Sequence, residues 1–504
     1  TTSETSSANF GALRAEAFLA AQDLEVSQAG LAMAQTAARQ AAGTGALAEL
    51  ARKQQDLATR IKVLDAKAVE AVGQGLADKA QALNREIAAA STLLTTTDEQ
   101  LRRDFPAYSS LIATHAISIS EVQKLLSSDE ALLMIVPVAE DIHIFAVSAD
   151  EADWKRLDRR QADLRDHVWK LRCQVDPKTC GSPGEVSEEF DAQTAHALFS
   201  LVVEPMDQII RNKKRLFVTA AGPIADLPLD MLITSAPSEN DGGAENLAKL
   251  HWLGDRHALV TLPSISAFRT GSKKPLVSNG VPFVGYGDPQ LGGAFKDFAP
   301  LAGTRRELEA LAEVMGSEPS AITLGAAATE EAVRADRRIG NAGVVVFATH
   351  GLLPGELDGR NEPGLVLSFP VTENPWDDGL LGASEAAALS LNAEWVILSA
   401  CYTASSERGS DSLSALGRAF LYAGAKSLLA SHWRVADDAT AALTVETMAT
   451  AKAHPELSRS GARQVAIRAI RSGKRSDGSV VANWTVSWAH PSAWAPFSLI
   501  AGDD

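Results

Sequence analysis

Five short apolar runs, at 321–324, 343–348, 365–368, 394–399 and 426–431, share the second half of the chain with helix signals at about 303–316 and 329–335. Strands that alternate with helices imply a largely parallel sheet with helices packed on it. A second set lies upstream. Ala131–Val136 and Ile142–Val147 are β-branched runs split by Pro137 and the acidic turn Glu140-Asp141, which reads as a β-hairpin. Helix signals at about 160–173 and 189–211 follow, with strands at 215–219, 258–262 and 282–286. The pattern predicts two α/β units in tandem, over 125–300 and 301–504. With 504 residues and 46% apolar content, the chain has enough material for cores of ordinary size.

The first hundred residues are different. Residues 1–9 are Ser/Thr-rich and read as a disordered tail. Residues 10–124 read as a helical region. From Phe10 to about Arg103 it is Ala-rich and free of proline, and Gly43-Thr44-Gly45 and Gly73-Gln74-Gly75 divide it into three helices. Leu57, Ile61, Leu64, Ala68 and Ala71 form one heptad seam. Leu76, Ala80, Leu83, Ile87, Ala90 and Leu94 form another, and the turn between the two predicts an antiparallel coiled-coil hairpin. The first helix is either the tail of a helical repeat array or part of a plain three-helix cap.

Chemistry concentrates at two strand ends. His350 follows Val344-Val345-Val346-Phe347-Ala348-Thr349, and Cys401 follows Trp395-Val396-Ile397-Leu398-Ser399-Ala400. Open parallel sheets place ligands and catalysis beyond the carboxyl ends of their strands. A cysteine and a histidine on neighbouring ends can form a thiolate with its base. The structural alternatives are a buried cysteine and a strand-end histidine with its hydrogen bonds satisfied. Caspases show the same order, with the histidine about 50 residues upstream of the cysteine.

Further segments occur in a fixed order: Gly222-Pro223-Ile224-Ala225-Asp226-Leu227-Pro228-Leu229, Ala348-Thr349-His350-Gly351, Asp378-Gly379-Leu380-Leu381, Leu398-Ser399-Ala400-Cys401-Tyr402-Thr403, Gly417–Ala425, Trp433–Thr440 and Trp494-Ala495-Pro496-Phe497. From about residue 125 onward the chain resembles the CHAT domain, a caspase-like peptidase family often found beside tetratricopeptide repeats. The resemblance implies a caspase-like three-layer α/β sandwich in which a degenerate half precedes the active one, here behind an α-helical hairpin or repeat-like segment. It implies Cys401 as nucleophile and His350 as base, with the backbone N–H groups of Gly351 and Cys401 forming the oxyanion hole. Gly351 could equally be an ordinary turn glycine.

Specificity stays open. Ser431-His432-Trp433-Arg434 is similar to the caspase segment whose arginine binds an acidic side chain, so Arg434 would favour Asp or Glu by bidentate pairing. Separase-like relatives carry acidic groups there, which makes Asp437, Asp438 and Asp411 candidates for binding a basic residue. Each of these aspartates also suits a helix N-terminus. The segment Thr403-Ala404-Ser405-Ser406-Glu407-Arg408-Gly409 departs from the Thr-Gly and glycine-rich turn common in the family.

Charge and cysteine count narrow the rest. A net charge of −16 disfavours a nucleic-acid partner, because phosphate binding rests on Lys and Arg. Of the three cysteines, Cys173 and Cys180 cluster without a histidine-rich neighbourhood, and the odd count argues against a disulfide framework. A chain dependent on one thiol fits a reducing cytoplasm. No apolar run is long enough to cross a bilayer and no signal peptide is visible, so no membrane is expected. Thiol chemistry needs no cofactor, and none is expected. Gly285-Tyr286-Gly287-Asp288 is too little to indicate a nucleotide site. The sequence therefore predicts a cysteine endopeptidase acting on a specific protein substrate. The resemblance adds control by a regulatory protein partner at the N-terminal helices. The alternative is a catalytically silent scaffold for protein–protein interaction.

Overall fold

The computed structural model describes residues 2–24, scattered positions from 50 to 68, and 76–104, 116–138, 140–176, 180, 189–238, 240–269, 281–353, 356, 363–370, 377–400, 403–404, 415–433 and 437–501. It divides into two compact units, Leu31–His115 and the remainder.

In the smaller unit the helix of Ala77–Asp104 buries Ala80 and Ala90, and Leu57, Leu64 and Ala68 are buried as well. Arg60 reaches Glu86 at 3.4 Å. Leu76, expected on the second seam, is exposed. The first helix, α1 (Thr2–Leu24), belongs instead to the larger unit and includes the stretch expected to be a disordered tail. Its inner face explains the placement. Phe18 is fully buried against Phe145, and Gln22 both donates to and accepts from the backbone of Ile117.

The larger unit is built on β1 (Glu130–Val138), β2 (Asp141–Ser148), β3 (Ala152–Leu157), β4 (Arg215–Ala220), β5 (Ala258–Thr261), β6 (Phe283–Pro289), β7 (Ile322–Gly325), β8 (Val344–Ala348), β9 (Gly351–Leu352), β10 (Gly364–Val366), β11 (Leu380–Gly382), β12 (Trp395–Ser399), β13 (Ser427–Ser431) and β14 (Phe497–Ala501). Eleven of these form one sheet in the order β3-β2-β1-β4-β5-β14-β13-β12-β8-β6-β7. β1, β4, β5 and β14 run parallel, as do β13, β12, β8, β6 and β7. β14 and β13 are antiparallel, so two parallel blocks of opposite direction meet there. β8, β12, β13 and β14 are buried at every position, which means both faces are covered. This is a mixed α/β architecture of the expected class.

Three expectations need correction. The run at 282–286, expected in the first unit, forms β6, which pairs with β8 and β7, so the second block of the sheet begins before residue 301. The run at 365–368 does not join the parallel sheet. It contributes β10 to a separate antiparallel sheet with β9 and β11. The helical signal at 189–211 is broken after Val202, where Glu204-Pro205-Met206 tightens into a 3₁₀ turn because proline cannot donate to the ladder.

Gly285 and Gly287 serve packing. A Cβ at Gly285 would meet Leu308 at 2.7 Å, and one at Gly287 would meet the Ala348 carbonyl at 2.6 Å. The pair lets the helix of Ala302–Met315 lie close on β6 and β8. Among the described residues, no helix is long and apolar enough to cross a membrane.

Candidate active site

The site begins with the register of two strands. β8 and β12 pair in parallel, with Ala348 opposite Ser399. The ladder continues one step further, because Thr349 N–H donates to the Ser399 carbonyl at 3.2 Å. His350 and the residues after Ser399 therefore leave adjacent strand ends on the same edge of the sheet. Cys401 itself lies outside the described residues, while Ser399, Ala400, Thr403 and Ala404 lie within them.

His350 is 7% exposed. Its Nε2 lies 2.8 Å from the Ala299 carbonyl. A carbonyl oxygen can only accept, so Nε2 carries a proton, and in the neutral ring Nδ1 is the basic nitrogen. The ring also meets Phe298 edge-on at 5.3 Å. Phe298 packs with Leu291 against a small apolar cluster of Phe295, Leu352, Val366 and Leu380, which joins the 291–299 segment to β9–β11. The His350 carbonyl accepts from Val366 N–H at 2.9 Å, and Thr349 Oγ1 donates to the Val366 carbonyl. The small sheet thus holds the backbone at His350, and the segment carrying Phe298 and Ala299 holds its ring. Gly351 opens β9 opposite Leu365. The Ala299 carbonyl has no signature in sequence, because any residue supplies one.

The turn after β12 is tied to the end of β13. Ser431 Oγ donates to the Ala400 carbonyl, Ser431 N–H donates to Thr403 Oγ1 at 2.9 Å, and Ala404 N–H donates to the Ser431 carbonyl at 2.7 Å. Beyond Ser431, His432 is buried with Nε2 at 2.9 Å from Ser498 Oγ, and burial drives its pKa down to about 3. Trp433 is fully buried and donates from Nε1 to the Ser492 carbonyl at 3.1 Å. Arg172, on the helix of Gln161–Val175, donates to the His432 carbonyl at 3.1 Å, and its guanidinium lies 5.1 Å from the Trp433 ring centre.

The specificity candidates are placed unevenly. Arg434 and Asp411 lie outside the described residues, as do 354–355, 357–362 and 371–376 in the loops near His350. Asp437 is the first residue of the helix of Asp437–Ala453, in keeping with its helix N-terminal reading, though its side chain is not described. Asp438 is exposed and pairs with Arg306 at 3.3 Å.

The Gly222–Leu229 segment lines a cavity shared with His432 and Ser498. It forms a 3₁₀ turn after β4 and leads to Asp230. There Arg463 forms a bidentate pair with the carboxylate at 3.1 and 2.7 Å, and its Nε and Nη2 also donate to the Phe497 carbonyl. Both charged groups are buried. A buried charge is tolerated only when paired and hydrogen-bonded in this way.

Cysteine pairing corrects another expectation. Cys173 and Cys180 form a disulfide with a Cα–Cα distance of 5.5 Å. Cys173 lies in the last turn of the helix, which ends at Val175. Disulfides persist in oxidising compartments, so cysteine usage gives no argument for a reducing cytoplasm. It leaves Cys401 as the one cysteine without a partner cysteine in the chain.

A family model described as the CHAT domain matches residues 192–503. Tetratricopeptide repeat protein 28 of Homo sapiens is 25% identical over 358 residues, covering 62% of this chain and 13% of that protein. The Mus musculus protein of the same name is 25% identical over 352 residues, covering 61% and 13%. The chain thus spans only a small fraction of the length of these curated relatives. Among solved structures, the Saccharomyces cerevisiae separase–securin complex matches at a TM-score of 0.41 and 10% identity, covering 79% of this chain and 31% of that one. The Arg-specific cysteine proteinase gingipain R matches at 0.36 and 10%, covering 68% and 74%. Likeness at this level bears on neither activity nor substrate.

Proposed function

The chain belongs to the CHAT domain family, and from that membership and the strand-end geometry we propose that it is a cysteine endopeptidase with His350 and Cys401 as its catalytic pair. The observation that carries the proposal is the Ala299 carbonyl at 2.8 Å from His350 Nε2. A histidine whose Nε2 carries a proton has Nδ1 as its basic nitrogen, and the neighbouring strand leads directly into Cys401.

In this mechanism His350 draws the proton from the Cys401 thiol and holds it as imidazolium. The thiolate attacks the carbonyl carbon of the scissile peptide. The N–H groups of Gly351 and Cys401 stabilise the oxyanion that forms. Collapse breaks the C–N bond, and His350 delivers its proton to the departing amine. Water, deprotonated by the same imidazole, then cleaves the thioester and returns the thiol. Arg434 on one side, and Asp411 and Asp437 on the other, are the opposed determinants of the residue before the cut. The substrate is a specific protein, and a regulatory protein partner engages the N-terminal helices.

Incubation with a diverse peptide library, with cleaved bonds read by mass spectrometry, tests the proposal. Cleavage by the wild type and none by Cys401→Ala is expected. A preference for Asp or Glu before the cut assigns specificity to Arg434, and a preference for Arg or Lys assigns it to the aspartates. Equal cleavage by Cys401→Ala removes the thiol from the reaction. Absence of cleavage, with Cys401 reacting as an ordinary thiol, favours the scaffold.

A further inference from the structure

We infer that Glu307 is a positioning residue for the catalytic pair, acting through Ser399; the inference rests on the peptidase reading above. Glu307 sits on the helix of Ala302–Met315 and is 2% exposed. Its two carboxylate oxygens accept from two different elements. Oε2 takes the Ser399 hydroxyl at 2.8 Å, and Oε1 takes the Thr444 hydroxyl at 2.7 Å. Thr444 lies on the helix of Asp437–Ala453 and is fully buried.

Ser399 joins the two strand ends. Its carbonyl accepts from Thr349, the residue before His350, and its side chain is held by Glu307. Two residues later comes Cys401. One buried carboxylate therefore fixes the last residue of β12, and through it the separation between the His350 and Cys401 strand ends. Burying a carboxylate is costly unless hydrogen bonds compensate. An apolar side chain here would be simpler if packing were the only demand.

The sign of the expected effect separates positioning from charge. If the carboxylate acted on the thiol through charge alone, removing it would favour the thiolate and lower the thiol pKa. Loosening the pair withdraws the imidazole and raises it towards the free-cysteine value, about 8.5.

Alkylation of Cys401 by iodoacetamide, followed by mass spectrometry of the Cys401 peptide across pH, reads that pKa without a substrate. The wild type is expected to react with a midpoint below that of a free thiol. Glu307→Gln and Ser399→Ala should raise the midpoint by about one unit, and Ser399→Thr, which keeps the hydroxyl on a β-branched residue suited to a strand, should restore it. A fall in melting temperature with an unmoved midpoint would overturn the positioning role, as would a midpoint that falls. A wild-type midpoint at the free-thiol value would instead overturn the catalytic pair, and this inference with it.

Discussion

Ala220 at the end of β4 and Ala348 at the end of β8 both pass the chain from a buried strand into a tight turn, but the two turns hold their polar groups in different ways. After β4, the turn leads to a buried carboxylate whose two oxygens are both taken by Arg463, which also holds the Phe497 carbonyl. That arrangement bolts the first block to β14, at the seam between the blocks. After β8, the turn leads to an imidazole fixed by one backbone carbonyl and one ring edge. A buried bidentate ion pair is a structural tie between two elements, whereas an imidazole whose Nε2 carries a proton has Nδ1 as its basic nitrogen. The same kind of strand end therefore serves as a fastening in one block and as a candidate reaction centre in the other.

The comparison breaks most sharply under paired substitutions. His350→Ala should lower peptide cleavage by at least about 100-fold, the usual scale for losing a general acid–base group, while costing about 1–3 kcal/mol of stability because the Ala299 carbonyl loses its donor. Asp230→Ala should act on stability alone. It strands the Arg463 guanidinium in the interior at a cost of roughly 3–5 kcal/mol, read from denaturant unfolding, while the molecules that remain folded keep their turnover. A loss of turnover in Asp230→Ala greater than its loss of folded protein would mean that the first block takes part in chemistry.

A smaller effect tests how the first block braces the second. Arg172, which holds the His432 carbonyl and Trp433, directly precedes the Cys173–Cys180 disulfide. Replacing both cysteines by serine should cost about 2 kcal/mol, the scale for a short disulfide loop. The wild type in dithiothreitol should show the same loss, and the serine variant should not respond to the reductant. A variant as stable as the oxidised wild type would remove the bridge from the bracing.

What the sequence revealed followed the same division. The buried runs of β8, β12 and β13 were legible because short apolar runs closed by turn signals have few alternatives. The run that became β10 carries a similar signal, yet pairing with β9 and β11 put it in another sheet, and pairing is not encoded in periodicity. β3 escaped because Asp153, Lys155 and Arg156 make an edge strand look like a loop. β14 was legible only as a motif around Trp494–Phe497, although it is the strand that joins the blocks. At the site, His350 and Cys401 stood out by residue type. The Ala299 carbonyl has no side-chain signature, and Glu307 looks in sequence like any surface acid on an amphipathic helix.

The histidines carry the comparison to its finest scale. His257 precedes β5 in the first block, and both of its ring nitrogens are engaged: Nδ1 lies 2.6 Å from the Lys213 carbonyl, and Nε2 accepts from Arg256 Nε at 3.0 Å. It is fully buried, and desolvation brings its pKa down to about 4. In the unfolded chain a histidine titrates near 6.5. Between those values the unfolded state binds a proton that the folded state refuses, so stability is complete above about pH 6.5 and falls as pH drops towards 4. His490, also lowered to about 4, acts in the same direction. Glu330, raised to about 8 chiefly by burial, acts oppositely: its folded state keeps a proton that the unfolded state gives up, so its contribution is lost as pH rises towards 8. His257→Asn keeps a donor and an acceptor but cannot titrate. It should flatten the acid limb of the stability curve by up to about 1.4 kcal/mol per pH unit, measured by denaturant unfolding from pH 4 to 7. An unchanged slope would mean that His257 is protonated in the folded protein, and that its two fixed contacts in the first block do not keep the proton out.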